Sequence, residues 1–132
     1  RPTAFASGLT DEARTRAALR EARRLLERFR AHSLFAEMDA ASERYHETPY
    51  VTAGDTGIID VLYRSPSGWT IADFKTDEAR DEAQARAIIR EKEYDAQLSR
   101  YAEAAAAQLG ERPRTLLVFL NVGSEVCVIP LE

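Results

Sequence analysis

Hydrophobic and polar positions along the chain follow two different periods. Apolar residues recur at helical spacing between residues 10 and 32, which predicts an amphipathic helix that begins at a capping Thr10. Residues 33–41 are typical of a short helix or turn. A second helical stretch covers residues 77–109 and ends at Gly110, with Pro113 just beyond. The apolar positions of the first helix are Ala18, Leu19, Ala22, Leu25, Leu26 and Phe29.

The remaining segments have the apolar or alternating patterns of strands. Residues 43–51 predict a strand that Pro49 confines to a sheet edge or a bulge. Residues 56–64 and 69–76 predict a β-hairpin around the loop 65–68, and residues 114–131 predict two more strands around a turn at 121–124. Mixed helical and strand segments of this kind predict an α/β domain with a central mixed sheet flanked by helices.

Composition narrows the class of protein. A chain of 132 residues with 45% apolar and 30% charged residues suits one α/β domain, which we expect to cover residues 1–132. A single cysteine, Cys127, excludes an intramolecular disulfide and a cysteine metal cluster, so a reducing, cytoplasmic setting is expected. No segment resembles a signal peptide or a membrane span, and we expect no membrane partner.

The net charge argues against one mode of nucleic-acid binding. At −4, the chain lacks the surplus of Lys and Arg that holds a phosphate backbone by bulk charge, so any such role needs a local site. The sequence begins with Arg1 rather than Met, and we therefore expect a piece of a longer protein.

The predicted hairpin places two acids opposite each other. With residues 65–68 as a four-residue loop, Arg64 lies opposite Trp69, Leu62 opposite Ile71, and Asp60 opposite Asp73. The period of two puts Asp60, Asp73 and Lys75 on one face. Directly opposed residues have Cβ atoms roughly 4.5–5.5 Å apart, and like charges placed so are destabilising.

Several arrangements can offset that repulsion. One carboxyl can hold a shared proton, Lys75 can supply one positive charge, or a divalent cation can lie between the acids. In a further alternative, both acids lie at strand ends in solvent and bond to backbone or to Arg side chains. The cation alternative specifies a chemistry, because Mg²⁺ between two carboxylates activates a water and stabilises charge on a phosphoryl oxygen. Lys75 beside that water makes the set suitable for hydrolysis of a phosphodiester.

The motifs resemble a known family. "GIID", then "DFK" after a hairpin, then "YDAQLSRY" on a helix are similar to the nuclease domain of the RecB and AddA type in the PD-(D/E)XK superfamily. The upstream "ERYHETPY" is similar to the segment that precedes the first acid in those domains. The resemblance runs from about residue 25 to the end and implies a restriction-endonuclease-like core.

The resemblance also implies roles for individual residues. It implies that Asp60, Asp73 and the backbone carbonyl of Phe74 bind the catalytic metal, Mg²⁺ or Mn²⁺, and that Lys75 is the catalytic lysine. Gln97 and Tyr101 match a glutamine and a tyrosine that shape the site and contact DNA, and Glu47 matches a supporting glutamate. The sequence itself places Tyr94, Gln97, Leu98 and Tyr101 on one helical stripe.

The chain departs from the family at a histidine. Many members have a metal-binding His on an early helix, whereas His32 comes too late to match it and His46 alternates with Glu47 as an edge residue. We expect the family histidine to lie before Arg1 or to be lost. The chain alone is then expected to bind Mg²⁺ weakly and to cleave DNA little.

The family context implies partners. Such nucleases form the C-terminal part of UvrD-like helicase-nucleases in DNA repair and recombination, so DNA, a helicase domain of the same polypeptide and further repair subunits are expected. An inactive nuclease-like module that binds DNA or docks a protein is the main alternative. A stand-alone nucleotide-binding enzyme is less favoured, since the chain has no Gly-rich phosphate loop.

Overall fold

The computed structural model describes residues 4–52 and 55–131. The described residues form four helices and five strands, grouped as two helices, three strands, two helices and two strands. In chain order these are α1 (Ala4–Arg30), α2 (Ser33–Asp39), β1 (Glu43–Thr52), β2 (Asp55–Ser65), β3 (Gly68–Lys75), α3 (Glu82–Lys92), α4 (Tyr94–Leu109), β4 (Arg114–Val122) and β5 (Glu125–Leu131). In the part of the chain that is described, no helix combines the length and the apolar character needed to cross a membrane.

The strands form one mixed sheet in the order β1-β2-β3-β4-β5. Strands β3 and β4 pair in parallel, and the other neighbours pair antiparallel. A parallel pair needs a crossover, which α3 and α4 supply. The α/β fold with a central mixed sheet is therefore confirmed, and Pro49 lies on an edge strand as predicted.

The register of the β2–β3 hairpin agrees with the sequence, but its loop is shorter than predicted. Arg64 pairs with Trp69 and Leu62 pairs with Ile71. Ser65 also pairs with Gly68, so the loop consists of residues 66 and 67 alone and the four-residue loop was wrong. The register is unaffected because the ladder gains one pair at its end without shifting the others.

Helices cover both faces of the sheet. Helices α3 and α4 pack on the face that carries Leu62, Ile71, Leu117 and Phe119. Helices α1 and α2 pack on the opposite face, through Leu25, Phe29, Leu34 and Met38 against Val61, Tyr63, Ala72, Leu116, Val118 and Leu120. Asp60, Asp73 and Lys75 alternate in phase with Leu62 and Ile71, so they share the α3–α4 face, which we call the site face.

Helix α1 differs from its prediction in two respects. It begins at Ala4, so Thr10 is not its N-cap. A glycine inside a helix lowers helix stability by about 1 kcal/mol relative to alanine, yet α1 continues through Gly8. Of the predicted apolar stripe, Leu25 and Phe29 are buried, whereas Leu19 and Leu26 are 60% and 55% exposed. Residues 11–20 are all exposed, so this part of the helix lies beyond the cover of the sheet.

The second helical stretch is divided. Glu93 adopts a left-handed backbone conformation, with φ 57°, and separates α3 from α4. The predicted helical stretch 77–109 therefore contains two helices. The end at Gly110 is confirmed, since Gly110 has φ 78° and its N–H donates to the Ala106 carbonyl. Glutamate gives no sequence signal for such a break, because it favours helix interiors.

Candidate active site

The two acids lie where strands β2 and β3 separate. The β2–β3 ladder ends at the pair Val61–Ala72, one residue before Asp60 and Asp73. Beyond it, the Phe74 N–H donates to Asp60 Oδ2 at 3.0 Å, while β3 remains paired with β4 through Phe74 and Val118. The Asp60 side chain therefore takes the place of a strand-to-strand bond and fixes β2 to β3 at this point.

Asp73 is buried beside Asp60. It is 4% exposed, and its Oδ2 atom has no hydrogen-bond partner among the described residues. Lys75 Nζ lies 2.8 Å from that oxygen, close enough for an ion pair although not directed as a hydrogen bond. Burial raises the pKa of Asp73 to about 6; the ammonium of Lys75 opposes this rise and the carboxyl of Asp60 adds to it.

Lys75 is held from three sides. Besides its ion pair with Asp73, its ammonium donates to Gln97 Oε1 at 3.3 Å. The same nitrogen lies 4.0 Å from the centroid of the Tyr94 ring, within the range of a cation–π contact. With 16% of its side chain exposed, Lys75 keeps a limited path to solvent.

Helix α4 brings its residues to the acids through its first two turns. Tyr94, Gln97, Leu98 and Tyr101 lie on one face of α4, as the spacing predicted, and Leu98 and Tyr101 are buried against the sheet. Gln97 reaches Lys75, whereas Tyr101 belongs to the hydrophobic cluster of the site face. The structure thus brings together Asp60, Asp73, Lys75 and Gln97, with Tyr101 one helical turn beyond Gln97.

Asp77 and Lys92 were not named from the sequence, and Tyr94 was named only as part of the helical stripe. Tyr94 donates from its hydroxyl to both carboxylate oxygens of Asp77, at 3.1 and 3.2 Å, and Lys92 donates to the same carboxylate at 2.5 Å. Burial opposes ionisation of Asp77, but the bonds from Lys92 and Tyr94 outweigh it and lower its pKa. The helical stripe contained Tyr94, but no local pattern connects it with Asp77, which lies before α3.

Neither histidine lies with the acids. His32 is the N-cap of α2, where its Nδ1 accepts a hydrogen bond from the Leu34 N–H at 3.0 Å. His46 is exposed on β1, in agreement with the edge position expected for it. Glu47 is exposed with φ 50°, and the register places it level with Asp60, between the pairs His46–Val61 and Thr48–Ile59.

The oxygen donors at the acid pair fit a hard divalent cation. Asp60 and Asp73 supply carboxylates, and Asp73 Oδ2, which accepts no directed hydrogen bond among the described residues, is suited to act as a ligand. In an extended strand the N–H and C=O of one residue point to the same side, so the Phe74 carbonyl faces β2 where the ladder has ended. Within residues 4–52 and 55–131, no group of three or more His, Cys, Asp or Glu is placed to hold a metal.

Comparison with known families gives one match to this chain. The model described as the PD-(D/E)XK nuclease superfamily matches residues 3–128, almost the full length. A comparison with curated proteins found no match.

Proposed function

Because the chain belongs to the PD-(D/E)XK nuclease superfamily, we propose that it is a metal-dependent DNA nuclease of the RecB and AddA type. We propose further that residues 1–132 form one nuclease domain of a longer helicase-nuclease in DNA repair or recombination. The substrate is then DNA, and the reaction is hydrolysis of a phosphodiester with Mg²⁺ or Mn²⁺ bound at Asp60, Asp73 and the Phe74 carbonyl.

The observation that carries this proposal is the buried Asp73 carboxylate, whose Oδ2 is ion-paired with Lys75 but accepts no directed hydrogen bond among the described residues. A buried carboxylate beside a second carboxylate costs free energy unless a proton or a cation compensates the charge. Lys75 supplies one positive charge for two acids, and Asp73 Oδ2 still lacks a hydrogen bond among the described residues. A site built for a divalent cation accounts for both features.

The chain's own residues have distinct roles in this reaction. A divalent ion held here lowers the pKa of a water and stabilises charge on a phosphoryl oxygen. Lys75 directs its ammonium toward Asp73, where it can orient the attacking water and stabilise negative charge as the bond to phosphorus forms. Gln97 fixes the ammonium by a hydrogen bond, and Tyr101 shapes the wall of the site.

The order of elements and the charge support a helicase-nuclease context. The motifs occur in the order acid, Asp-Phe-Lys, then Gln-x-x-x-Tyr on α4, as in the RecB and AddA type. A net charge of −4 suits a domain to which other parts of a larger enzyme deliver the DNA.

A cleavage assay tests the proposal. End-labelled linear DNA is incubated with Mg²⁺ or Mn²⁺, and with EDTA as the metal-free reference, using the chain and a form extended upstream of Arg1. Asp73→Asn and Lys75→Met should each lower metal-dependent cleavage by on the order of 10²-fold or more. Asp39→Asn, at an exposed position on α2, is the matched control and should cleave like the wild type. Cleavage that survives in both site variants would contradict the assignment.

The alternative is an inactive nuclease-like module, favoured by the small number of ligands at the acid pair. Two carboxylates and a carbonyl form a sparse set for Mg²⁺, and the described residues add no third acid or histidine. Calorimetric titration with Mn²⁺ separates the two functions. Binding that is weak in the chain, tighter in the extended form and lost in Asp73→Asn supports the nuclease, whereas no binding in either form supports the inactive module.

A further inference from the structure

An aromatic stack lies on the site face near the β2–β3 turn. The rings of Tyr45 and Trp69 are stacked, with centroids 6.3 Å apart and planes 25° from parallel. The guanidinium carbon of Arg64 lies 5.9 Å from the centroid of the Trp69 ring. We call Tyr45, Trp69 and Arg64 the aromatic stack.

The register places this stack close to the acids. Tyr45 pairs with Leu62, and Leu62 pairs with Ile71, which forms the row next to Asp60 and Asp73 on the same face. Arg64 and Trp69 lie in the following row. Rows on one face are about 7 Å apart, since each strand residue rises about 3.4 Å. Tyr45 is therefore one row from the acids and Trp69 is two.

The hydrophobic core holds one ring of the aromatic stack, and solvent reaches the other. Trp69 is partly buried and packs against the hydrophobic cluster under α4. Tyr45 is 49% exposed, although one side of its ring contacts Trp69. Exposed rings fixed on a rigid sheet lose little conformational freedom when a third flat group stacks on them.

We propose that the aromatic stack binds a base of single-stranded DNA, in the strand that runs from the acid pair toward the β2–β3 turn. This inference rests on the proposed nuclease function, which requires a DNA strand to leave the acid pair. Helix α4 covers Leu62 and Ile71, so the strand passes beside α4 along the exposed edge strand β1. Proteins that hold single strands without sequence preference combine aromatic rings for the bases with basic groups for the backbone. Arg64, with 56% of its side chain exposed, supplies the basic group.

The charges around the stack favour base stacking over phosphate binding as the main contribution. Glu43 lies 4.0 Å from Arg64 and accepts a hydrogen bond from the Tyr45 hydroxyl. Glu43 thus weakens the attraction of Arg64 for phosphate, so the aromatic rings make the larger contribution. A duplex is a poor occupant, because its bases are stacked on one another and do not present their faces to a protein ring.

Fluorescence of Trp69, the single tryptophan of the chain, provides the test. The chain is titrated in EDTA with a short thymidine homopolymer, with an abasic strand of equal length, and with a duplex. We expect the homopolymer to quench Trp69 and to bind about tenfold more tightly than either other probe. Equal binding of homopolymer and abasic strand, or a lack of quenching, would overturn the proposal, and this comparison needs no variant.

Two variants at Tyr45 sharpen the result. Tyr45→Phe keeps the ring and should keep the preference for the homopolymer, while Tyr45→Thr keeps a strand-forming residue without the ring and should lose it. Leu26→Thr, at an exposed apolar position on α1, is the control and should change nothing. A preference that persists in Tyr45→Thr would overturn the proposal. Since the titrations contain no metal, they test the base-binding site alone. Quenching here, together with no metal-dependent cleavage by the chain or by its extended form in the cleavage assay, would reject the nuclease and leave the base-binding site standing.

Discussion

At the scale of single residues, the candidate site depends on charges that the fold has buried together. Asp73 faces Asp60 and Lys75 with little solvent to separate them. The sequence predicted this group correctly, because a hairpin register relates residues on two strands by simple counting. It did not predict the contact of Tyr94 with Lys75 and Asp77, which depends on how α4 docks against the end of β3.

The raised pKa of Asp73 predicts how stability depends on pH in the metal-free chain. Its folded pKa is about 6 against 3.8 for the free group, so between these values the folded state binds more protons than the unfolded state. The stability that Asp73 contributes is therefore present below about pH 4 and is lost as the pH rises to about 6. Urea unfolding midpoints of wild type and Asp73→Asn should show it: their difference should move in favour of the variant across this window. A difference between the two midpoints that does not change with pH would contradict the raised pKa of the buried Asp73 carboxyl.

The contact between Tyr94 and Lys75 predicts a second effect. Tyr94→Leu removes the ring beneath the ammonium, and a cation–π contact at a partly buried site is worth about 1–2 kcal/mol. We expect cleavage to slow about tenfold with little change in KM, whereas Tyr94→Phe keeps the ring and should retain most of the rate. A measurement without cleavage is the ring-current shift of the Lys75 ε-methylene protons, which Tyr94→Leu should abolish. Phe29→Leu, on the other face of the sheet, is the control that should leave this shift unchanged.

At the scale of helices and strands, the sequence predicted correctly those features that depend on a few neighbouring residues, such as helix ends and turns. Gly110 ended α4 as predicted, and the turn between β4 and β5 consists of residues 123 and 124, inside the predicted 121–124. The division at Glu93 and the exposed half of α1 could not be predicted, because both depend on where the sheet begins and ends beneath the helices. An apolar stripe specifies a face that can be buried and leaves open whether a partner element covers it.

The turn between β4 and β5 provides a prediction at this scale. Gly123 has φ 55°, and a Cβ there would lie 2.9 Å from the Arg80 carbonyl oxygen; Gly110 has φ 78° and an open surrounding. Gly110→Ala should lower the free energy of unfolding by roughly 1 kcal/mol or less. The energy that alanine needs to adopt a left-handed conformation is partly offset, because alanine lowers the conformational entropy of the unfolded chain. Gly123→Ala should lower the free energy of unfolding by roughly 1–3 kcal/mol more than this, because the backbone at Arg80 must move away from the added methyl group. Equal losses in urea unfolding would show that the segment around Arg80 is not held close to the turn.

At the scale of the whole molecule, the two faces of the sheet differ in the residues that they carry. Helices α1 and α2 cover one face. Helices α3 and α4 pack on the other, which carries the acids and Lys75 beside the start of α4 and the aromatic stack near the β2–β3 turn. The α/β class could be predicted from the sequence because the spacing of apolar residues is judged over many positions. An error at one position therefore does not change the predicted class.

The overall charge predicts a weak dependence of DNA binding on salt. For single strands the slope of log K against log salt is about −0.7 for each phosphate contacted, and the aromatic stack supplies one cation, Arg64. We expect the metal-free chain to bind a thymidine homopolymer weakly, with a slope no steeper than about −2. Titrations over a range of NaCl concentrations measure it. A slope beyond about −4 would reveal a broad basic surface.

The parallel pairing of β3 with β4 has a consequence for the order in which the molecule assembles. Asp60 and Asp73 meet through a two-residue loop, whereas Thr70 pairs with Arg114 after the whole α3–α4 crossover has closed. Short loops close at a lower entropic cost than long ones, so the two acids come together before Tyr94 and Gln97 reach Lys75. Pulsed hydrogen exchange during refolding should protect the β2–β3 amides before those of β4. The acids then spend part of the folding time near each other without the groups that hold Lys75, and the candidate site is complete only after the α3–α4 crossover has docked.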